Sequence, residues 1–203
     1  LFYEAYDLII QRGYIGYSII REDGTTTDPK MIIKGHHKSF PYIYENDEGI
    51  FIMPESCVDH NIRLFRAVDF PNEWKEERII IEDIFSVDSI LLHEMEKDYL
   101  LTSEQYRYPS EEKVISCWVK NRLLEISGDL TIDPLKITGR VVVEGDKGVR
   151  NAGAVFYHDH KLVRPGQNCE DGRYGKGLKF FEINSIDPYT EKLIYEIDCD
   201  EMQ

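Results

Sequence analysis

The sequence predicts an all-β fold of the β-propeller type. Short runs of β-branched and aromatic residues, such as 14–20 and 50–53, are separated by clusters of Asn, Asp, Gly and Pro. The cluster at 46–49 has the composition of a hairpin turn. Only residues 110–115 resemble the start of a helix, and the overlapping run 114–119 fits a strand equally well.

A repeated hairpin pattern turns the strand prediction into a propeller prediction. Two strands joined by a turn occur over 40–56, again over 88–103, and again over 152–166. Each hairpin is followed by another strand, a turn that contains Asp, and a last strand. About four strands per unit is the plan of a propeller blade. We therefore expect one domain, 1–203, that divides into a partial blade and three further blades, the second of these with an insertion: 1–35, 36–83, 84–145 and 146–203.

The start of the chain resembles the second strand of the repeat and not the first. Residues 1–5 align with 52–56, and no first strand precedes them. The sequence thus predicts a propeller that is truncated within its first blade. An open blade edge exposes unpaired backbone groups. We expect self-association through that edge, or coverage of the edge near Leu1 by the strand at 193–198.

Charge and composition exclude several classes of partner. The net charge is −14, with 38 acidic against 24 basic residues, so binding to nucleic acid is disfavoured. No window of the chain is apolar enough to span a membrane. Four cysteines without a CxxC pair favour ordinary thiols of an intracellular protein, so we expect a cytoplasmic location. The sequence predicts no cofactor. It also predicts no metal site, since His158 and His160, the two residues that resemble metal ligands, flank Asp159 in an exposed turn.

Six segments within the repeats carry a resemblance to a known domain: His37-Lys38-Ser39-Phe40-Pro41-Tyr42, Phe51-Ile52-Met53-Pro54-Glu55-Ser56, Phe70-Pro71-x-x-Trp74, Arg150-Asn151-Ala152-Gly153, Arg164-Pro165-Gly166-Gln167 and Arg173-Tyr174-Gly175. These segments resemble a five-bladed β-propeller domain related to family 43 glycoside hydrolases. That domain is present at the N-terminus of glucosamine inositolphosphorylceramide transferases. In bacteria it also stands beside formyltransferase-like or glycosyltransferase domains.

The resemblance implies incomplete hydrolase chemistry. Family 43 hydrolases use a base, an orienting acid and a proton donor on inner hairpins, as hydrolysis with inversion requires. Asp88 falls at the orienting position, the base position would precede Leu1, and the donor position falls near Asn151, whose amide cannot serve as an acid. Glu55 is a candidate replacement acid or an acceptor for sugar hydroxyls. Alternatively, Glu55 simply ends a strand in a solvated channel.

Polar residues at the ends of the inner strands, and Tyr174 in a predicted loop, are candidates for substrate binding. The guanidinium group binds carboxylate and phosphate in a bidentate manner, so Arg150, Arg164 and Arg173 suit a phosphate, a carboxylate or a uronate. Ion pairing with Asp88, Glu55 or Glu170 is the alternative for these arginines. Tyr174 is the expected platform for a sugar ring, whereas Tyr42, Tyr99 and Tyr157 are expected in the core. The complete set of binding candidates is His37, Ser39, Arg150, Asn151, Arg164, Gln167, Arg173 and Tyr174.

Three functional hypotheses follow. The leading one is a module that binds a carbohydrate or a glycolipid head group and presents it within a larger enzyme of cell-surface glycan or glycolipid synthesis. The second is an active glycosidase or glycosyl-transferring enzyme that uses Asp88 and Glu55. The third is a structural domain that docks a partner domain and binds no sugar.

Overall fold

The regular structure of the chain consists almost entirely of β-strands. A computed structural model describes residues 1–94, 97–105, 119–126, 140–145, 147–169 and 173–199. These ranges contain sixteen strands and one short 3-10 helix, Cys57–Asp59. No helix within these described ranges is long and apolar enough to cross a membrane. The segment 110–118, where helix and strand were both compatible with the sequence, lies outside the described residues.

The chain folds into two compact units, and residues 1–86 belong to the first, the N-terminal unit. This unit contains two antiparallel sheets in which each strand pairs with the next along the chain. The first sheet has three strands: β1 (Phe2–Asp7), β2 (Arg12–Tyr17) and β3 (Lys30–Ile33). The second sheet has four strands: β4 (Ser39–Asn46), β5 (Gly49–Glu55), β6 (Asn61–Asp69) and β7 (Glu73–Glu82). The hairpin that the sequence predicts over 40–56 is confirmed, since β4 and β5 form it.

The described residues from Val87 onward belong to the second, C-terminal unit. One sheet has the order β11-β10-β9-β8, and the other has the order β12-β14-β15-β16 with β13 also paired to β14. The strands of the first of these sheets are β8 (Ser86–Glu94), β9 (Lys97–Gln105), β10 (Val119–Ile126) and β11 (Arg140–Gly145). The strands of the second are β12 (Lys147–Asn151), β13 (Phe156–His158), β14 (Lys161–Asn168), β15 (Gly177–Ile186) and β16 (Tyr189–Asp198).

The described residues therefore form four sheets, one fewer than the five blades that the family resemblance implies. The segment 193–198, one of the two expected covers of the edge near Leu1, lies in β16, which pairs with β15 in a long hairpin around the turn before Tyr189.

Apolar side chains at alternating strand positions form the core of the N-terminal unit. Ile15, Ile33 and Ile52 come from three different strands and are almost completely buried. Trp74 packs edge-on against Phe2 with ring centroids 6.0 Å apart. The two sheets of this unit are thus joined by aliphatic and aromatic contacts, as the period-two pattern of the strands requires.

The first strand of a hairpin leaves regular β geometry where the candidate residues stand. Phe40 and Asp88 both have positive φ angles, 42° and 52°, near the starts of β4 and β8. The β4–β5 register shifts between Ser39 and Tyr42. Irregularities of this kind bend a strand and redirect its side chains. At these strand ends, the side chains therefore do not alternate regularly between the core and the solvent.

A buried ion pair joins strands of the last sheet. Arg164 on β14 has no exposed surface, and its Nε and Nη2 atoms lie 2.8 and 2.7 Å from the two carboxylate oxygens of Glu191 on β16. Burial opposes the charge of Arg164, but Glu191 more than offsets it, so the pKa of Arg164 is raised. Tyr189 donates its hydroxyl to the same carboxylate at 2.7 Å. Burial, together with Glu191, raises the pKa of that hydroxyl.

We expect Glu191→Gln to lower the free energy of unfolding by about 3–5 kcal/mol, because it leaves the buried cation of Arg164 without its counter-charge. Urea denaturation followed by circular dichroism measures the loss. Lys161→Met is the matched control, since Lys161 lies on the same strand as Arg164 and pairs with Glu182 of β15 at 2.8 Å, but its side chain is 55% exposed. It should cost at most about 1 kcal/mol. Equal losses in the two variants would contradict the assignment.

Candidate functional site

A buried carboxylate lies at the centre of the polar cluster in the C-terminal unit. Asp88, at the start of β8, is 2% exposed. Arg150 on β12 donates from Nε to its Oδ2 atom at 2.6 Å, and Gln167 on β14 donates from Nε2 to the same atom at 3.1 Å. Burial raises the pKa of Asp88, and the two donors oppose that rise. The carboxylate is thus held in one position by groups from two strands of the neighbouring sheet.

The Asn151 amide saturates its hydrogen-bonding capacity inside the same unit. Its Nδ2 donates to the carbonyl oxygens of Asp88 at 2.8 Å and Leu101 at 3.2 Å. Its Oδ1 accepts from Asn121 and from Arg164, both at 3.3 Å. A primary amide has two donor hydrogens and two acceptor sites. Asn151 is also completely buried, so it belongs to the frame of the site and not to the groups that could meet a ligand.

Tyr174 carries the exposed aromatic surface of this cluster. The guanidinium carbon of Arg150 lies 5.5 Å from the centroid of the Tyr174 ring, within the range of a cation–π contact. The side chain of Tyr174 nevertheless remains 64% exposed. Arg173 beside it is also exposed. We call Asp88, Arg150, Gln167 and Tyr174 the Arg150 cluster.

Arg164 does not take the position that the sequence predicted for it. The residue was expected to line a pocket, but the structure buries it completely and pairs it with Glu191. Its guanidinium carbon lies 4.7 Å from the ring centroid of Phe181, which is also its register partner on β15. The pleat of β14 therefore turns Arg164 into the core. We remove it from the candidate binding residues.

Three other sequence candidates, His37, Ser39 and Glu55, lie in the N-terminal unit, His37 just before β4 and the other two at the paired ends of β4 and β5. His37 accepts a hydrogen bond at Nδ1 from the backbone N–H of Gly13 at 2.9 Å, and its Nε2 is 3.8 Å from Glu4. Ser39 on β4 is the register partner of Glu55 on β5. His37 and Glu4 are each about one-third exposed. The structure thus groups His37 with Glu4, and Ser39 with Glu55.

A buried ionic cluster lies next to His37 and was not predicted from the sequence. Lys38 Nζ lies 2.6 Å from Asp59 Oδ2, His36 bonds to the other oxygen, and Arg63 lies 3.7 Å away. Burial alone would raise the pKa of Asp59, but the three cationic or donor groups lower it overall. The consecutive residues His36-His37-Lys38 were the available signal, of which the sequence analysis used only His37.

Glu104 on β9 was also missed, because it lies one residue beyond the repeated hairpin 88–103. Its carboxylate lies 2.5 Å from Nε of Arg122 on β10, and both side chains are about one-quarter exposed. An ion pair thus joins β9 and β10 just after the second hairpin of the repeat.

The match to a family profile covers nearly the whole chain. The profile "Glucosamine inositolphosphorylceramide transferase 1, N-terminal" matches residues 1–200. The chain belongs to this family of N-terminal domains. It is 30% identical over 196 residues to glucosamine inositolphosphorylceramide transferase 1 of Arabidopsis thaliana, covering 94% of this chain and 25% of that protein. The Oryza sativa subsp. japonica protein of the same name is 28% identical, with 92% and 24% coverage. The chain spans about a quarter of the length of these relatives.

Solved structures with little sequence identity share the fold. An exo-1,5-α-L-arabinanase from a bovine ruminal metagenomic library matches with a TM-score of 0.62 at 12% identity, over 90% of this chain and 69% of that one. An exo-β-1,3-galactanase from Phanerochaete chrysosporium matches with a TM-score of 0.68 at 9% identity, over 96% and 44%. A Bombyx mori GH32 β-fructofuranosidase matches with a TM-score of 0.64 at 14% identity, over 96% and 47%. The fold is therefore an all-β propeller of the glycoside hydrolase type, as the sequence predicted.

The lowered pKa of Asp59 predicts a pH-dependent contribution to stability. Asp59→Asn should cost about 3 kcal/mol at pH 7, because Lys38 then remains buried without its counter-charge. A carboxyl group whose pKa is lowered on folding stabilises the protein above its unfolded pKa, and this contribution is lost as pH falls through the folded pKa. The difference between wild type and variant in urea unfolding should thus shrink below about pH 4. An exposed control, Asp28→Asn, should show little difference at any pH. A gap that widens on acidification would contradict the assignment.

Proposed function

We propose that the domain binds a carbohydrate, such as the head group of a glycolipid, and presents it within a larger enzyme of cell-surface glycan or glycolipid synthesis. Membership of a family named for transfer to inositolphosphorylceramide supports this class of substrate. The observation that carries the proposal is the Arg150 cluster, in which an exposed aromatic ring is supported by a cation that a buried carboxylate holds in place.

Stacking on Tyr174 is the proposed mode of recognition. Apolar C–H faces of sugar rings pack against aromatic faces, and an aromatic side chain with a fixed orientation loses little conformational entropy on binding. Arg150 supplies that orientation, because its own position is set by the 2.6 Å bond to Asp88. Gln167 is half-buried beside it and donates to both Asp88 and the backbone oxygen of Asn151. The Tyr174 ring is thus held by Arg150 in an orientation in which a ligand can stack on it.

The ion pairs favour a neutral sugar over an anionic one. From the sequence, the arginines suit a phosphate, carboxylate or uronate group. In the structure, however, Arg150 is paired with Asp88 in the cluster, and Arg164 is paired with Glu191 in the core. Cations that already hold buried carboxylates contribute little net attraction for a further anion.

Binding without hydrolysis is the proposed outcome, because a proton donor is needed for inverting hydrolysis. The donor position of the related hydrolases falls near Asn151, whose amide is saturated by hydrogen bonds. Asp88 is buried and paired, which suits an orienting role and not direct proton transfer. The hydrolase hypothesis, with Asp88 and Glu55, therefore stands second.

A glycan array of neutral and acidic oligosaccharides, followed by calorimetric titration of the best ligand, tests the proposal. We expect Tyr174→Ala to weaken binding about tenfold, which corresponds to about 1.4 kcal/mol of lost stacking. Tyr195→Ala is the matched control, because Tyr195 is 62% exposed in the same unit but lies on β16 outside the cluster. It should leave the affinity unchanged.

Two outcomes would overturn the proposal. Release of nitrophenol from a panel of aryl glycosides, abolished by Asp88→Asn, would identify a hydrolase. The absence of binding to every glycan on the array would favour the third hypothesis, a structural domain that docks a partner.

A further inference from the structure

We propose that the turn between β1 and β2 inserts into the surface of a zwitterionic lipid bilayer. The turn carries three consecutive aliphatic residues, Leu8, Ile9 and Ile10, which we call the aliphatic tip. This inference goes beyond the proposed glycan binding and does not depend on it. It is carried by the exposure of the tip, by the hydrogen bonding of its backbone and by the charges at its base.

The aliphatic tip exposes more apolar surface than a hairpin turn normally does. Leu8 is 82% exposed, Ile9 is 93% exposed and Ile10 is 50% exposed. Turns are usually built from Gly, Asn, Asp, Ser and Pro, since these residues satisfy the backbone and tolerate water. Runs of exposed apolar residues on a protein surface mark sites of interaction with a partner or a membrane. Since these side chains remain largely exposed, the fold of the unit does not account for them.

Two backbone N–H groups of the tip already have a hydrogen-bond acceptor within the protein. Asp7 Oδ1 accepts hydrogen bonds from the N–H groups of Ile9 at 2.9 Å and Ile10 at 3.2 Å. In a bilayer, each backbone donor without a partner costs free energy, because no water is present to replace the bond. Two donors of the tip are satisfied by a side chain at its base and would remain satisfied on insertion.

The base of the hairpin carries one charge of each sign. Asp7 is the register partner of Arg12, whose Nη1 donates to the backbone oxygen of Gly35 at 3.1 Å. A pair of opposite charges below an apolar tip matches the layered chemistry of a zwitterionic surface, with head groups outside and acyl chains inside. The net charge of −14 disfavours strongly anionic membranes.

The tip projects from the end of the N-terminal unit that carries sequence-predicted site residues. The Tyr6 ring at its base lies 6.3 Å from the His37 ring, and His37 lies 3.8 Å from Glu4. Insertion of the tip would therefore bring His37 and Glu4 to the level of lipid head groups. A protein partner is the less favoured occupant, because protein interfaces are anchored mainly by Trp, Tyr and Arg, and the tip itself contains only Leu and Ile.

The expected affinity is low and measurable. The three side chains contain twelve carbon atoms, four each, which is slightly fewer than a myristoyl chain. A single myristoyl chain gives an association constant of about 10⁴ M⁻¹. Because one side chain is only half exposed, we expect a value on the order of 10³ M⁻¹ in accessible lipid.

Vesicle flotation of the 203-residue protein tests the proposal. The probe is a series of phosphatidylcholine vesicles at increasing lipid concentration and physiological salt. Wild type should float with the vesicles, and Leu8→Ser/Ile9→Ser should reduce the association constant at least tenfold without changing the melting temperature. Val68→Ser is the matched control, since Val68 is 62% exposed near the other end of the same unit, at the close of β6. It should float like wild type.

Lack of flotation of the wild type at millimolar lipid, or equal flotation of the tip variant, would overturn the proposal. A change of the tip variant's oligomeric state on gel filtration, with no vesicle binding by the wild type, would show that the tip contacts a second copy instead. Tyr174→Ala should not alter flotation, and the tip variant should not alter glycan binding. Failure of either proposal is thus distinguishable from failure of the other.

Discussion

The side-chain amide of Asn151 is the contact on which the candidate site depends. Its four hydrogen bonds reach the backbone of β8 and β9 and the side chains of Asn121 on β10 and Arg164 on β14. One buried amide therefore fixes the spacing between two sheets of the C-terminal unit at the point where Asp88 meets Arg150. Buried polar networks of this kind specify geometry strongly because each unmade bond is costly. Asn151, which the family resemblance places near the proton-donor position of the hydrolases, is thus part of the frame of the site.

The fold was predictable from the sequence because the patterns that specify the strands and turns are local and occur several times along the chain. Alternating β-branched and aromatic residues between turn residues define β4 to β7 without any long-range knowledge, and the hairpin pattern recurs in register. The pairing of β16 with β15 was less accessible, because an open edge and a terminal strand can satisfy each other in more than one way. The interruption between β12 and β13 also had no sequence signal, since Ala152-Gly153 reads equally well as the interior of a strand.

The sequence predicted which residues form the site better than it predicted whether their side chains face the core or the solvent. The sequence placed Asp88 and Arg150 at strand ends and Tyr174 in a loop, and the structure brings Arg150 into contact with both of the others. It could not tell that Arg164 turns inward, because its partner Glu191 stands on a strand two positions away in the sheet, and a single position on the pleat decides between core and solvent. Strand alternation fails where a strand bends, and the positive φ of Asp88 marks such a place. Orientation at these ends depends on tertiary contacts that a sequence pattern does not contain.

The unfolding free energy of Asn151→Asp is the most direct test of this account. At neutral pH the new carboxylate would face the carbonyl oxygens of Asp88 and Leu101, where the amide donates two hydrogen bonds. We expect a loss of about 3 kcal/mol or more relative to wild type, whereas Asn184→Asp, at an exposed position of β15, should change little. An Asn151→Asp protein as stable as wild type would show that the amide is not the element that holds the site together.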